Sequence, residues 1–187
     1  MSKEVIIPST DARCSALFQA VAAASSAGSL KRKLDSIVKI TSGALDMGVS
    51  LLVPDSAGRQ LVHTSSWGLP KYYIQKGLVN PAESLGETVS GHMVVAELAA
   101  GGLIQYPDFA KRARITFIAG IPVKTTEGIS AALRVYVKEG HNATPADLEF
   151  ASRIAGLVGI AMSAREESEA CSEVDNASIR TQTLNRL

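Results

Sequence analysis

Between Thr116 and Val137 the chain alternates with a period of two, and this stretch limits the possible folds more than any other. Phe117, Ala119, Ile121 and Val123 take one parity, and Ile118 and Gly120 take the other. After a turn at Lys124–Gly128, Ile129, Ala131, Leu133, Val135 and Val137 share one face, and Ser130, Ala132, Arg134 and Tyr136 share the opposite one. Successive side chains of a strand point to opposite faces, so the segment is predicted to be an antiparallel hairpin.

A second hairpin is predicted upstream, with Val49, Leu51 and Val53 on one strand, a turn at Pro54–Gly58 and a return over Leu61–Trp67. Ahead of it, apolar residues repeat at helical spacing through Cys14, Leu17, Phe18 and Val21, then through Leu30, Leu34, Ile37, Val38, Thr41 and Leu45. Gly28-Ser29 is a weak break, and the Lys31-Arg32-Lys33 run is poorly suited to a helix N-terminus. One continuous helix over 11–47 is therefore favoured. Between the hairpins, a helix is expected over Glu87–Leu98, a short strand over Leu103–Tyr106 and a turn or two of helix over Pro107–Ala113.

The last helix has the clearest start signal. Thr144 is the N-cap, Pro145 takes the first helical position, and Asp147 completes a capping box. It carries two apolar seams. Phe150, Ile154, Leu157 and Ala161 form one, which can cover a sheet. Ala151, Ala155, Val158 and Met162 form the other, which needs the N-terminal helix or a second subunit. Gly156 and Gly159 would permit close approach of that partner. The chain divides into a leader and helix at 1–28, a folded domain at 29–164 and a polar tail at 165–187.

Composition excludes several classes. The 187 residues suit one domain, and 46% hydrophobic with 20% charged residues describes a globular chain. Nineteen basic against 18 acidic residues leave +1, so nothing in the overall charge draws the chain to nucleic acid or anionic lipid. No apolar run reaches the ~18 residues of a membrane span. Cys14 and Cys171 stand near opposite ends, which rules out a disulfide framework and a C-x-x-C site. Both are read as small apolar helix residues in a reducing compartment, and the chain is read as cytoplasmic. His63, His92 and His141 show no metal-ligand spacing, and no G-x-S-x-G is present.

Five stretches stand in an order that resembles a GAF domain: VSLLVPDSAGRQL at 49–61, HTSSWGLP at 63–70, SLGETVSGHMVV at 84–95, ITFIAGIPVKTTEGISAALRVYV at 115–137 and ATPADLEFASRIAGLVGIAM at 143–162. The resemblance implies an α+β fold, an α/β/α sandwich related to PAS domains. In it, terminal helices pack on one face of a six-stranded antiparallel sheet and often dimerise. The other face is roofed by loops and forms a pocket. GAF domains bind cyclic nucleotides, bilins, haem, metabolites or nothing, so the fold does not settle the ligand. The N-K-x…F-x-x-x-D-E signature of cyclic-nucleotide pockets is absent. Bilin attachment and free methionine sulfoxide reduction both need a cysteine, and none lies between Cys14 and Cys171. His92 could serve only as a single axial haem ligand.

Trp67, Tyr72, Tyr73, Tyr106 and Phe109 are five of nine aromatic residues, all on the segments expected to roof the pocket. With His92, Asp108 and Arg134 they are the candidate ligand-binding residues. Aromatic walls with a few polar groups suit a small-molecule site, and the Arg134 guanidinium could hold a carboxylate. On that reading Arg134→Ala abolishes binding and changes melting little. Ala151, Ala155, Val158 and Met162 are the candidate dimer face. No catalytic or metal-ligating residue is assigned and no cofactor is named. The function expected is a non-enzymatic sensor, with an unidentified small ligand coupled to a homodimeric helix bundle. No kinase, cyclase or helix-turn-helix is found, so its output is expected in a signalling partner or in further chain. A ligand-free dimerisation module is the second reading, and a haem or metabolite enzyme on the same scaffold the third.

Overall fold

The computed structural model describes residues 10–184, with side chains described between 12 and 165. Residues 1–9 of the leader, the Cys171 side chain and the acidic side chains of the tail lie outside what is described.

The N-terminal segment forms two helices rather than one. Helix α1 (Thr10–Ser25) and helix α2 (Leu30–Leu45) fold back on each other, with Ala12, Ala16 and Gln19 facing Ala44, Ile40 and Ser36 across a shared groove. Gly28 takes φ 128°, a conformation that other residues adopt only under strain, and so turns the chain. Ser29 then caps α2 by accepting from the backbone N–H of Arg32. The basic run of α2 stays in solvent, where Lys31 pairs with Asp35.

Strands β1 (Gly48–Pro54) and β2 (Leu61–Trp67) make the first hairpin. Three short helices follow β2, namely α3 (Lys71–Ile74), α4 (Glu87–Ser90) and α5 (Pro107–Arg112), with strand β3 (Val94–Glu97) between α4 and α5. The helix expected over Glu87–Leu98 is thus a single turn followed by a strand. Gly91 closes α4 at φ 71°, and the β-branched pair Val94-Val95 then joins the sheet against Gly120 and Ala119. No strand forms at 103–106, where the chain runs as loop into Pro107.

Strands β4 (Ile115–Thr125) and β5 (Gly128–Lys138) form the second hairpin with the expected parities. The antiparallel sheet has five strands in the order β2-β1-β5-β4-β3. Among the described residues a sixth strand is not formed; Val79 makes only an isolated bridge to Leu61 at the outer edge of β2.

Helix α6 (Pro145–Leu184) packs with α1 and α2 on one sheet face. Residues 160–184 contain neither Gly nor Pro, so nothing in the sequence stops the helix at the expected boundary near 164. Its predicted cap is in place. The Thr144 N–H donates to Asp147 Oδ2 at 2.8 Å, and the Asp147 N–H donates to Thr144 Oγ1 at 3.2 Å. Arg13 of α1 donates twice to Asp147 Oδ1, at 3.0 and 2.6 Å.

The helix layer closes over Ile37, Val49, Leu51, Leu133, Val135 and Ile154. It also consumes the seam assigned to a dimer: Ala151, Ala155 and Val158 are at most 2% exposed, and Met162 is 9% exposed. The α1–α2 hairpin and the sheet hold α6 between them, so both seams face this chain's own core. Gly159 likewise faces the carbonyl of Lys124 at the end of β4, and Ser163 accepts the N–H of Thr126 in the β4–β5 turn at 3.1 Å. Cys14 is exposed on α1 rather than buried. Among the described residues no helix is long and apolar enough to cross a membrane.

Candidate functional site

On the sheet face opposite the long helices, register sets Ser66, Ser50, Arg134, Gly120 and Val94 side by side across all five strands. Arg134 therefore stands at the centre of this face. The segments carrying α3, α4 and α5 roof it, and Tyr73, Leu85, Ile115, Ile118 and Tyr136 fill the space between.

Arg134 is 3% exposed and Glu87 of α4 is fully buried. Arg134 Nε donates to Glu87 Oε1 at 2.6 Å and Nη2 to Oε2 at 3.1 Å, the two-pronged geometry that a guanidinium makes with a carboxylate. The remaining donors reach the Ser84 hydroxyl and the Ser84 carbonyl, each at 3.0 Å. Burial works against the Arg134 charge, and Glu87 more than offsets it, holding the guanidinium above its usual value. Gly120 makes room for this pair, since a Cβ there would stand 2.7 Å from Glu87 Cδ and 2.9 Å from Leu85 Cδ2.

A second polar chain runs beside it. Lys76 Nζ lies 2.8 Å from His63 Nε2, His63 Nδ1 lies 2.7 Å from Ser50 Oγ, and Ser50 Oγ lies 2.7 Å from Ser66 Oγ. An ammonium only donates, so Nε2 accepts and the ring proton sits on Nδ1, directed at Ser50. Lys76 also covers the Tyr73 ring, 4.0 Å from its centroid. Burial, with the charges of Lys76 and Arg134, drives His63 from 6.5 down to about 3. Burial, with Arg134, drives Lys76 from 10.5 down to about 7.

These shifts predict a pH dependence. Both groups bind fewer protons folded than unfolded, so stability rises with pH between each folded and unfolded value. His63 adds stability from pH 3 to 6.5 and Lys76 from pH 7 to 10.5, each with a slope of up to about 1.4 kcal/mol per pH unit. Lys76→Met should flatten the alkaline rise in urea-derived stability. An unchanged slope in that variant would show that Lys76 keeps its ordinary proton affinity in the fold.

The structure brings together only some of the predicted ligand residues. Arg134 and Tyr73 point into the roofed space. Tyr72, Tyr106 and Phe109 hold the roof segments to one another. The Tyr72 hydroxyl donates to the Arg112 carbonyl at 2.9 Å, the Tyr106 hydroxyl donates to the Leu78 carbonyl at 2.7 Å, and Phe109 packs edge-on to Tyr106. Trp67 lies on the other face, with Lys39 of α2 4.8 Å from its ring centroid. The bulge that shifts register between Leu51 and Leu52 separates the Trp67 end of β2 from the His63 end. His92 is exposed and bonds to the Ser90 carbonyl, and Asp108 is exposed beside Lys111. Among the described residues no three His, Cys, Asp or Glu side chains gather as a metal site.

Glu87, Ser84, Lys76, His63, Ser50 and Tyr136 were not singled out from sequence. The alternation of β5 places Tyr136 on the Arg134 face, and that was its one available signal. A cleft of about 340 Å³ on the helix side, lined by Leu30, Leu34, Val53 and Met162, contains none of the predicted ligand residues.

Neither the family models nor the curated protein sequences include a match to this chain. Solved structures do match. The GAF domain of a phosphoenolpyruvate-protein phosphotransferase from Coxiella burnetii is 17% identical with a TM-score of 0.72, covering 86% of this chain and 98% of that one. Free methionine-R-sulfoxide reductase from Neisseria meningitidis, in complex with its substrate, is 12% identical with a TM-score of 0.71, covering 90% and 99%. A phycoerythrobilin-bound GAF domain from a cyanobacterial phytochrome is 12% identical with a TM-score of 0.67, covering 86% and 100%. These likenesses extend over most of each chain: the chain has the fold of a GAF domain.

Proposed function

We propose that this chain is a non-enzymatic sensory domain that holds a small molecule between the roof and the sheet. One observation carries the reading. The Tyr136 hydroxyl is buried at the centre of the roofed face beside Arg134, and it makes no well-formed hydrogen bond among the described residues. A buried donor left unpaired costs about 1–3 kcal/mol and calls for a missing partner. Each polar side-chain atom of the surrounding Arg134–Glu87–Ser84 network has at least one partner, which sets Tyr136 apart from it. Occupancy would reach the helix layer through the β4–β5 hairpin, whose turn rests on Gly159 and Ser163 of α6. A ligand shifts that layer only by its differential affinity for two arrangements. The solved neighbours of this fold include signalling domains, which supports a sensory role. The lack of a cysteine between Cys14 and Cys171 argues against reductase chemistry of the kind named for the Neisseria neighbour.

The test is native mass spectrometry of freshly purified protein beside Tyr136→Phe. The expected result is a small molecule bound to the wild type and released on denaturation. It should be missing from the variant, which melts at the same temperature or higher. A variant that retains the molecule would overturn the assignment of this site.

The second reading is a ligand-free interaction module that dimerises through its helix layer. Phe18 of α1 and Ile160 of α6, 77% and 69% exposed, favour it. Sedimentation should then show a dimer that Ile160→Glu dissociates. A wild type that stays monomeric at its solubility limit would end this reading.

A further inference from the structure

Resting on the sensory reading above, we infer that the molecule held beneath the roof is a small monocarboxylate whose counter-charge is Lys76. Arg134 and Glu87 neutralise each other in a closed pair. Lys76 has no such partner. Its ammonium donates to the His63 ring and to the Tyr73 carbonyl at 3.2 Å, and it lies over the rings of Tyr73 and Tyr106. All of these are neutral, and no carboxylate among the described residues reaches it. His63 does not share the charge, because it serves Lys76 as an acceptor. Where Lys76 is protonated, the roofed space therefore holds one more positive charge than negative. A desolvated charge is costly until an opposite charge joins it.

The two groups left wanting are both donors. Lys76 offers an ammonium and Tyr136 offers its hydroxyl, and Tyr73 links them. Its face lies under Lys76, and its ring meets that of Tyr136 edge-on with centroids 5.5 Å apart. The surplus charge on Lys76 matches the single charge of a carboxylate, and Tyr136 adds a neutral donor to the same cluster. A neutral amide leaves the charge uncompensated. A dianionic phosphate sets a second negative charge near Glu87, which already occupies the same space. The phenol ring of Tyr73 supplies an apolar wall for the carbon body.

Calorimetric titration and thermal melting with benzoate and propionate, each beside its amide, test this at mildly acidic pH, where Lys76 is protonated. Both acids should raise the melting temperature of the wild type at saturation, and the amides should not. Lys76→Gln should weaken benzoate binding by about tenfold or more, and Lys76→Arg should retain it. Equal shifts with acids and amides, or undiminished benzoate affinity in a folded Lys76→Gln, would overturn the carboxylate assignment. So would the absence of any shift with either acid. A neutral molecule released from the wild type and missing from Tyr136→Phe would leave the sensory reading standing and remove the carboxylate. If no molecule co-purifies and no acid or amide shifts melting, both fall.

Discussion

Gly159→Ala is expected to destabilise the domain by about 3 kcal/mol or more, and Gly156→Ala, three residues away on the same helix, to stabilise it. An added Cβ at Gly159 would overlap the backbone carbonyl of Lys124. Neither atom can rotate away, so α6 would have to lift from the β4–β5 turn and lose the Ser163–Thr126 bond with it. Overpacking against side chains costs about 1–3 kcal/mol, and an unyielding backbone atom puts this site at or above the top of that range. Gly156 is exposed with nothing within 4 Å of an added Cβ. Alanine there brings only its better helix propensity, about 1 kcal/mol. Thermal melts of the two variants should therefore move in opposite directions. The combined separation is about 10 °C, at roughly 2–4 °C per kcal/mol for a chain of this size. Equal, small shifts would mean that α6 does not touch the turn.

Arg134→Met is expected to be the second large effect, and it reverses the sequence-based expectation that removing Arg134 changes melting little. The substitution strands the Glu87 carboxylate at 0% exposure with its guanidinium gone. Breaking one side of a buried pair costs about 3–5 kcal/mol, whereas replacing both sides with apolar groups is often neutral or favourable. Arg134→Met with Glu87→Leu should thus recover most of what Arg134→Met loses. Urea denaturation of the wild type, both single variants and the double variant measures the coupling. Additive losses would show that the two side chains do not depend on each other in the fold.

The sequence made some of this legible and hid the rest for identifiable reasons. The β4 and β5 parities were readable because a two-residue period is set by local geometry, and Thr144-Pro145-x-Asp147 was readable because a cap is a contact within one turn. The α1–α2 break was underestimated, since one glycine competes with helical spacing on both sides and only its φ of 128° decides the outcome. Val89, Met93 and Ala96 fit a helical face, which is why the sequence predicts a helix over Glu87–Leu98. Pairing of Val94–Glu97 with β4 overrode that local pattern. The seam through Ala151 and Val158 was correctly read as needing a partner, and an N-terminal helix was one of the two candidates. The site was the least legible part. Arg134 was chosen because it interrupts an apolar strand, but nothing near it in sequence indicates Glu87, 47 positions earlier. Lys76 and His63 meet only because a bulge in β2 and the turn after α3 aim them at the same point.

The carboxylate of Asp147 joins the first helix of the described chain to the start of the last. One oxygen accepts the N–H and hydroxyl of Thr144, and the other accepts both contacts from Arg13. These bonds hold its proton affinity below the usual carboxylate range against the opposing effect of burial. The start of α1 and the first turn of α6 are thereby fastened at one atom group rather than independently. In native-state hydrogen exchange the two should behave as a single cooperative unit, their amides gaining or losing protection together. A force that unzips α1 from the layer must also uncap α6.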